Sequence, residues 1–432
     1  MEPTTHPMKK TLYKSLPLLL AFATQSFAAT NPPPDLPASV YKARRDQVMK
    51  ELGGCAAVIA AQGHPGGEFT GGYRQDGDFY WLTGLNEDGA WLEFSPKART
   101  IKVRLWLKPR DPESERWTGP REGISPALLE KWGVDKVSRG QPELVRSAAL
   151  SGCVAILAPL GRAKDERPDV KLARDAASAA GAKLEYKRTL LERLRSTHTP
   201  DEIARIDRAI ALTRLGHEAA ARNTKAGVDE KFVQAQMEHA FFTGGATGLS
   251  YGSIVGSGEN GAVLHWGRND RVLRDGDLVV IDAAAEYGRY AADITRTYPV
   301  SGKFTDEQAK VYRAVYQAQE DIMAAIHPGV TMPELQQAAE DSLRRAGYLD
   351  NFIHGFGHFV GLDVHDAGDY EAPLPAGAVI TVEPGVYLPE RGFGVRIEDM
   401  VEITPTGYRL MSSAFPRKLE DVEAWVAEAR KK

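Results

Sequence analysis

Two segments in the carboxyl-terminal half of the chain each carry a pair of acidic residues placed symmetrically about a turn. In the first, Asp282 and Asp293 stand five residues to either side of Tyr287-Gly288, within two strand-like runs. A hairpin centred on that turn would place the carboxylates directly opposite each other, about 5 Å apart at Cβ, where like charges destabilise a sheet. Either a positive group lies between them, or the register slips and one aspartate faces solvent.

The second segment repeats the arrangement with Glu383 and Glu398 about a turn at Glu390-Arg391. Pro384 and Gly385 are expected to distort its first strand. Of the ten histidines, His265 lies shortly before the first segment, and His354, His358 and His365 lie between the two segments. A single histidine is more often structural, but together with four carboxylates these predict a metal site with additional acid–base groups.

Four carboxylates and one imidazole form a mostly oxygen-donor site, which suits Mn²⁺, Co²⁺ or Zn²⁺ better than a thiolate-preferring ion. The charge of the carboxylates favours two divalent ions. Such a pair, about 3.5–4 Å apart, can share a bridging hydroxide and polarise a carbonyl, which is hydrolytic chemistry. The glycine-containing segments 63–72 and 244–258 lack the Lys-Ser/Thr of a phosphate-binding loop.

The composition excludes several other classes. The 432 residues carry 54 basic and 58 acidic side chains, a net charge of -4, and no basic stripe that would favour nucleic acid. Cys55 and Cys153 have no zinc-type spacing, so at most one disulfide is expected, in an oxidising compartment. No apolar run approaches the roughly 20 residues of a transmembrane helix. Peptides or small molecules are the expected partners.

Residues 1–28 are typical of a signal peptide. Lys9, Lys10 and Lys14 precede an apolar stretch at residues 16–23, and Ser26-Phe27-Ala28 is a small-x-small cleavage site. We expect cleavage after Ala28 and export, with a bacterial periplasm as the destination. The alternative is a cytosolic tail or a vector remnant with Met8 as the natural start. Residues 29–38 are rich in proline and predict a stiff, extended linker.

Two folded domains are expected after the linker. Residues 39–196 alternate strand-like runs (56–60, 90–94, 101–107, 154–158) with helical stretches (126–132, 169–180), which predicts an α/β unit. Residues 197–432 predict an α+β domain, because three capping boxes begin helices and hairpin-forming strands lie between and after them. The boxes are at Thr199–Glu202, Thr305–Gln308 and Thr331–Glu334, and Gly347 suits the end of the third helix.

At these residues the sequence closely resembles the aminopeptidase P and prolidase family of pita-bread metallopeptidases. The shared contexts are Ile-Asp-Ala, Ala-Asp-Ile-Thr-Arg-Thr, His-Gly-x-Gly-His, Val-Glu-Pro-Gly and Arg-Ile-Glu-Asp. The resemblance implies a pita-bread catalytic domain preceded by a smaller amino-terminal domain. It also implies five metal ligands: Asp282, Asp293, His358, Glu383 and Glu398. Residues 73–84 resemble the signature of aminopeptidase P amino-terminal domains, with Trp81 in place of a tyrosine.

The resemblance also implies roles beyond the ligands. Glu383 would accept the proton of the attacking water, His265 would lie near the reacting carbonyl, and His365 would steady the tetrahedral intermediate. His354, with Phe356 beside it, would enclose the proline ring of the substrate. The remaining implied residues are Arg396, tied to a ligand aspartate, Thr295, supporting the metal shell, and Tyr387, in the substrate site.

The implied activity is removal of the residue that precedes a proline at the second position of a peptide, with two metal ions, most typically Mn²⁺. A homo-oligomer, dimer or tetramer, is expected. A prolidase restricted to Xaa-Pro dipeptides is the main alternative. A creatinase-like amidinohydrolase and a non-catalytic peptide-binding module are less consistent with the sequence, because such proteins usually lose the ligands that are intact here.

Overall fold

The computed structural model describes residues 35–63, 73–121, 123–158, 167–187, 189–327 and 329–432. The predicted leader and the linker up to residue 34 lie outside these ranges, as does most of the glycine-containing segment 63–72. At the end of the linker, Leu36 is buried and the first helix begins at Ala38. No helix within these ranges is long and apolar enough to cross a membrane.

The amino-terminal part is built on one sheet. Its strands are β1 (Ala56–Ala60), β2 (Trp91–Phe94), β3 (Val103–Leu107), β4 (Lys136–Arg139), β5 (Cys153–Ile156) and β6 (Lys183–Tyr186). They are ordered β4-β3-β2-β1-β5-β6, with β2 antiparallel to both neighbours and the other pairs parallel. The four predicted strands are confirmed to within two or three residues. The edge strands β4 and β6 were not predicted, because they are short and polar and are strands only through their pairing partners.

The described residues of this part also form seven α-helices. They are α1 (Ala38–Glu51), α2 (Gly77–Thr83), α3 (Pro112–Thr118), α4 (Pro126–Trp132), α5 (Leu144–Ser151), α6 (Pro168–Ala180) and α7 (Leu190–Arg195). The two predicted helices correspond to α4 and α6. A disulfide joins Cys55, just before β1, to Cys153 at the start of β5, so the one bridge that the sequence left open is formed.

Among the residues that the structure describes, the carboxyl-terminal part has five further α-helices: α8 (Pro200–Asn223), α9 (Glu230–Gly244), α10 (Asp306–Ala325), α11 (Met332–Ala346) and α12 (Leu419–Ala429). Capping boxes at Thr199, Thr305 and Thr331 begin α8, α10 and α11, and Gly347 ends α11 in a left-handed conformation. These helix predictions are confirmed. The boundary predicted between residues 196 and 197 falls in the short connection from α7 to α8.

Eleven short strands are also found in the described portion of this part. They are β7 (Gly248–Leu249), β8 (Ile254–Ser257), β9 (Leu278–Asp282), β10 (Ala285–Tyr287), β11 (Tyr290–Ala291), β12 (Thr295–Pro299), β13 (Val379–Val382), β14 (Gly385–Leu388), β15 (Phe393–Arg396), β16 (Asp399–Thr404) and β17 (Gly407–Leu410). Their apolar side chains share a core with α8 to α12. A second core continues from the amino-terminal sheet to residues of the first hairpin, including Tyr290 and Ile294.

The register of the first hairpin differs from the prediction. Tyr287 pairs with Tyr290, and Asp282 pairs with Thr295 rather than with Asp293. The turn is Gly288-Arg289, and both residues have positive φ, 57° and 75°, as a two-residue type I′ turn requires. Direct opposition of the aspartates is therefore wrong. The shift is two residues, which leaves both side chains on the same face because strand side chains alternate with a period of two.

The register of the second hairpin is as predicted. Gly385 pairs with Arg396 and Val382 with Asp399, so Glu383 and Glu398 occupy matching positions about the turn. Neither glutamate belongs to a strand, because the ladder is interrupted at Glu383-Pro384. The distortion expected from Pro384 is confirmed, and the interruption directs both carboxylates into one cavity.

Candidate metal centre

The five predicted ligands meet in one cavity of about 300 Å³. Asp282 ends β9, Asp293 lies between β11 and β12, and His358 lies in the loop after α11. Glu383 directly follows β13, and Glu398 lies between β15 and β16. All five ligand positions are strand ends or adjoining loops, so the sheets hold their backbones while the side chains stay free to converge.

Asp282 and Asp293 are joined by a residue that the sequence did not suggest. The Tyr251 hydroxyl lies 2.5 Å from Oδ1 of Asp282 and 2.5 Å from Oδ1 of Asp293. Tyr251 stands 31 and 42 residues away from them in sequence, and no motif connects it to the hairpin. Only the folding of β7 and β8 against the first hairpin brings it here.

His358 presents one ring nitrogen to the carboxylates. Its Nδ1 donates to the backbone carbonyl of Phe359 at 3.1 Å, which leaves Nε2 facing Asp293 Oδ2 and Glu383 Oε1, each at 3.4 Å. Burial alone would lower the pKa of His358, but these two carboxylates raise it to about 9. The ring is therefore oriented as a metal-binding imidazole is, with its second nitrogen fixed by the backbone.

Glu398 and Arg396 are held by Thr295, as the resemblance implied for the threonine. Thr295 Oγ1 donates to Glu398 Oε2 at 2.8 Å and accepts from Arg396 Nε at 3.1 Å. Arg396 then reaches Asp282 Oδ2 with Nη2 at 2.6 Å. The guanidinium thus holds one of the predicted ligand aspartates in place, which is the contact implied for Arg396.

The side chains fit divalent cations. Four carboxylates share the cavity, and the only fixed cation that contacts them among the described residues is Arg396. Burial raises the pKa of Asp282, raises that of Glu383 to about 7, and raises that of Glu398 well above its usual range. Oxygens of Asp293 and Glu398 and a nitrogen of His358 lie within 4.8 Å of one another. Carboxylates that are buried together in this way are stabilised in their charged form by a cation between them.

A hydrogen-bonded chain leads from Arg396 to His354. Arg396 Nη1 donates to the Tyr387 hydroxyl at 2.8 Å, and the hydroxyl lies 2.9 Å from His354 Nε2. The other nitrogen of His354, Nδ1, lies 2.7 Å from the Gly355 carbonyl and must be the donor there. Burial and the charge of Arg396 lower the pKa of His354 to about 4, so the ring is a neutral acceptor for Tyr387 at neutral pH.

The other predicted residues divide into two groups. His265 and His365 both line the cavity, and the ring of His365 stacks on His358 with centroids 3.9 Å apart and planes at 11°. Phe356 does not line it; its side chain is 2% exposed and belongs to the hydrophobic core. The prediction that Phe356 encloses the substrate ring is therefore wrong, because the backbone around Gly355 and Gly357 turns this side chain inward. Leu264 and Tyr370 supply apolar surface instead.

Comparisons with known proteins show to which family the chain is similar. The models for Metallopeptidase family M24 and for Aminopeptidase P, N-terminal domain, match residues 204–405 and 41–141. The Xaa-Pro aminopeptidase of Haemophilus influenzae is 31% identical over 426 residues, covering 90% of this chain and 97% of the relative. That of Escherichia coli is 34% identical over 401 residues, covering 83% and 90%. Escherichia coli aminopeptidase P with the inhibitor Pro-Leu superposes with a TM-score of 0.81 at 31% identity, covering 92% of this chain and 100% of that one.

The strand-end carboxylates and histidine, on a fold matched by the M24 model, define a metallopeptidase that works with divalent metal ions. Within that class, the chain belongs to the aminopeptidase P family, since its likeness extends over nearly the whole length of the relatives and includes the amino-terminal domain. The predicted α+β pita-bread fold, preceded by a smaller α/β domain, is confirmed.

Proposed function

We propose that this protein is an Xaa-Pro aminopeptidase that releases the residue preceding a proline at the second position of a peptide. The observation that carries the proposal is the cavity in which five ligand-type side chains meet His265, His354 and His365. Relatives named Xaa-Pro aminopeptidase, 31% and 34% identical over most of the chain, support the same activity.

The ions would be held by Asp282, Asp293, His358, Glu383 and Glu398. Bound there, divalent ions supply Lewis acidity toward the scissile carbonyl and lower the pKa of water. Four carboxylates against one guanidinium leave three negative charges, which supports two ions rather than one. The oxygen-rich donor set favours Mn²⁺, with Co²⁺ or Zn²⁺ as alternatives.

The protein's own groups have separate tasks in this proposal. Glu383, on the cavity wall, accepts the proton of the attacking water. The Asp282 cluster gives a counter-charge to the free amino group of the substrate. His265 lies beside the scissile carbonyl, His365 steadies the charge that develops there, and either ring can help protonate the leaving nitrogen. Fixing both ends of the scissile unit in this way turns binding energy into orientation of the bond.

Proline specificity needs a dedicated pocket, because an Xaa-Pro bond has no N–H for an ordinary exopeptidase to bind. His354 supplies one wall, held in a fixed neutral form by Tyr387 and Gly355. Leu264 and Tyr370 give the cavity the apolar surface that a pyrrolidine ring requires.

Four peptides test the activity under one metal condition: an Xaa-Pro dipeptide, an Xaa-Pro-Yaa tripeptide, its N-acetylated form and an Xaa-Ala-Yaa control. Of the tripeptide, its N-acetylated form and the alanine control, we expect only the tripeptide to release Xaa rapidly. Rapid cleavage of the dipeptide only would make the enzyme a prolidase. Equal turnover of the alanine control would refute proline specificity.

Metal dependence is tested on the same tripeptide. Removal of metal by a chelator should abolish turnover, and titration with Mn²⁺ should restore it as the protein binds two ions per chain. Full restoration at one ion per chain would contradict the two-ion proposal. Turnover that persists in protein shown to contain no metal would contradict the mechanism as a whole.

We also propose that the protein is exported to a bacterial periplasm and acts as a dimer or tetramer. The leader-like pattern at residues 1–28 supports export, and the disulfide between Cys55 and Cys153 suits an oxidising compartment. Protein isolated from its own cells should begin at Ala29, and light scattering should give a mass above the monomer. An uncleaved chain in the cytosol would contradict export, and a monomeric mass would contradict the oligomer.

A further inference from the structure

A buried ion cluster outside the metal cavity joins the amino-terminal part of the chain to the loop that carries His365. Arg195, at the end of α7, donates from Nη1 to Asp78 Oδ1 at 2.6 Å and from Nη2 to Asp363 Oδ2 at 3.1 Å. The same Nη2 also bonds Asp366. The side chains of Arg195 and Asp366 are only 5% and 4% exposed, so the centre of the cluster lies within the protein, while Asp363, 39% exposed, stands at its edge.

Asp366 fixes the shape of the loop from inside. Its Oδ2 accepts the backbone N–H of Leu362 at 2.9 Å, and its Oδ1 accepts that of Ala367 at 2.7 Å. The N–H of Asp366 donates to the carbonyl of Phe359 at 2.9 Å. Residues 359–367 therefore form a closed loop that follows the ligand His358 and contains His365.

Two further side chains hold the loop through its backbone. Arg74, from the amino-terminal part, donates from Nη2 to the carbonyl of Leu362 at 3.0 Å and forms an ion pair with Glu286 of β10. His198 Nε2 lies 3.0 Å from the carbonyl of Val360. The loop is thus held by one side chain of the amino-terminal part and by one from the connection between α7 and α8.

Close approach within the cluster depends on glycine. A Cβ at Gly77 would lie 2.2 Å from Arg195 Nη2 and 2.2 Å from Asp363 Oδ2. A Cβ at Gly361 would lie 2.1 Å from Asp366 Oδ2. The sequence leaves these two positions without side chains, and the guanidinium and carboxylates occupy the space.

The ring of His365 depends on this loop for its position. It is stacked on His358, and no described group donates or accepts a hydrogen bond to either of its nitrogens. Stacked rings can slide with little loss of contact energy, so the stacking alone does not fix the ring. The backbone of residues 359–367 must do so.

We propose that Asp78 and Arg195 are positioning residues, which hold the loop so that His365 stays over His358 and faces the reacting carbonyl. The inference rests on the proposed function for the role of His365. Asp78 belongs to α2, so the proposal gives the amino-terminal domain a part in the reaction although none of its described residues lines the cavity.

Asp78→Asn tests the proposal, because it keeps the shape of the side chain and leaves Arg195 two carboxylate partners. Metal-loaded full chains of the parent, Asp78→Asn, His365→Ala and the double variant are compared on the Xaa-Pro-Yaa tripeptide. We expect Asp78→Asn to lower kcat about 10-fold to 100-fold with little change in KM, the size of effect that a small misplacement causes. In the His365→Ala background, Asp78→Asn should lower kcat little further, because Asp78 acts through the His365 ring, which that background lacks. Asp88→Asn, which removes an exposed ion pair with Lys108, should match the parent.

An equal loss of kcat in both backgrounds, or no loss in the parent, would overturn the proposal. A second measurement does not depend on activity. The proton NMR signal of the His365 ring, assigned by its absence in His365→Ala, should shift in Asp78→Asn and not in Asp88→Asn, because the ring moves relative to His358. A shift without any turnover by the parent would keep the positioning role and reject the proposed activity, and an unmoved signal would reject the positioning role itself.

Discussion

Glu383 is the residue that we propose as the general base. Its carboxylate lines the cavity. Among the protein groups by themselves, without metal ions, burial raises the pKa of Glu383 to about 7. A general base is most effective when its pKa lies near the working pH. Thr381 Oγ1, 3.3 Å from Oε1, supports the carboxylate from the strand below. The interrupted strand at Pro384 is what turns this residue toward the cavity.

Glu383→Gln should therefore lower kcat by about 10²–10⁴-fold, the usual effect of removing a general base, while binding of a non-hydrolysed peptide changes far less. Activity is measured at saturating metal, with the metal content of each sample determined. Glu390→Gln, an exposed acid at the tip of the same hairpin, is the matched control. A kcat within about threefold of the parent, far below that range, would show that another group accepts the proton.

His217 is a buried histidine that the fold keeps neutral. Its Nε2 lies 3.0 Å from the Ala283 carbonyl and so carries the proton, while Nδ1, 3.1 Å from the Tyr298 hydroxyl, accepts. Burial lowers its pKa to about 3, against about 6.5 in an unfolded chain. Between these values the unfolded state binds a proton that the folded state does not, so stability falls as the pH drops through this window.

The expected slope from His217 is about 1.4 kcal/mol per pH unit below pH 6.5, and no contribution is expected above it. Urea unfolding of the parent and of His217→Gln between pH 7 and pH 4.5 measures it. The free energy of unfolding of His217→Gln should fall less steeply with decreasing pH than that of the parent, and the difference in slope should correspond to about one proton. His239→Gln removes an exposed histidine on α9 and should keep the parent's slope. Equal slopes for parent and His217→Gln would contradict the prediction.

At the scale of elements, a side chain of α10 forms hydrogen bonds to the backbone where the ladder of the second hairpin is interrupted. The ladder breaks at Glu383-Pro384, next to the carbonyls of Val382 and Ile397. The amide of Gln319, fully buried on α10, donates to these two carbonyls at 3.0 and 3.1 Å and to Asp399 Oδ2 at 3.0 Å. A helix side chain thus makes it possible for both glutamates to leave the sheet.

Gln319→Met should lower the free energy of unfolding by about 1–3 kcal/mol, because buried carbonyls would lose their donors while the volume stays similar. The shift in the urea midpoint measures this. Gln317→Met, two residues earlier on the exposed side of α10, is the matched control and should have little effect. A Gln319→Met variant as stable as the control would mean that the carbonyls find other donors.

At the scale of the whole molecule, the disulfide closes a long loop around the amino-terminal sheet. Cys55 and Cys153 are 98 residues apart and join the neighbouring strands β1 and β5. Removing a crosslink over such a loop gives the unfolded chain more freedom, and the usual cost is about 2–4 kcal/mol. The Cys55→Ala, Cys153→Ala double variant should therefore unfold at lower urea concentration than the oxidised parent.

Its kcat on a proline tripeptide should equal that of the parent, because neither cysteine lies near the metal cavity. The parent unfolded in the presence of a reductant should resemble the double variant. If reduction leaves the midpoint unchanged, the bridge contributes nothing to stability in solution.

The sequence by itself determined the features that depend on local bonding and on residue chemistry. Capping boxes involve residues three apart, so Thr199, Thr305 and Thr331 marked their helices correctly. The symmetric spacing of Glu383 and Glu398 was enough to give the register of the second hairpin. The donor types at Asp282, Asp293 and His358 were enough to indicate a cation site.

Only the tertiary structure decided the features that depend on residues distant in sequence. The first hairpin turns at Gly288-Arg289 because Arg289, although not a glycine, is held at positive φ with its guanidinium donating to the carbonyl of Gln75. Tyr251 reaches both aspartates from another strand, and Phe356 points into the core rather than the cavity. Each outcome depends on packing between segments that are separate in sequence, and neither spacing nor periodicity encodes which of them will meet.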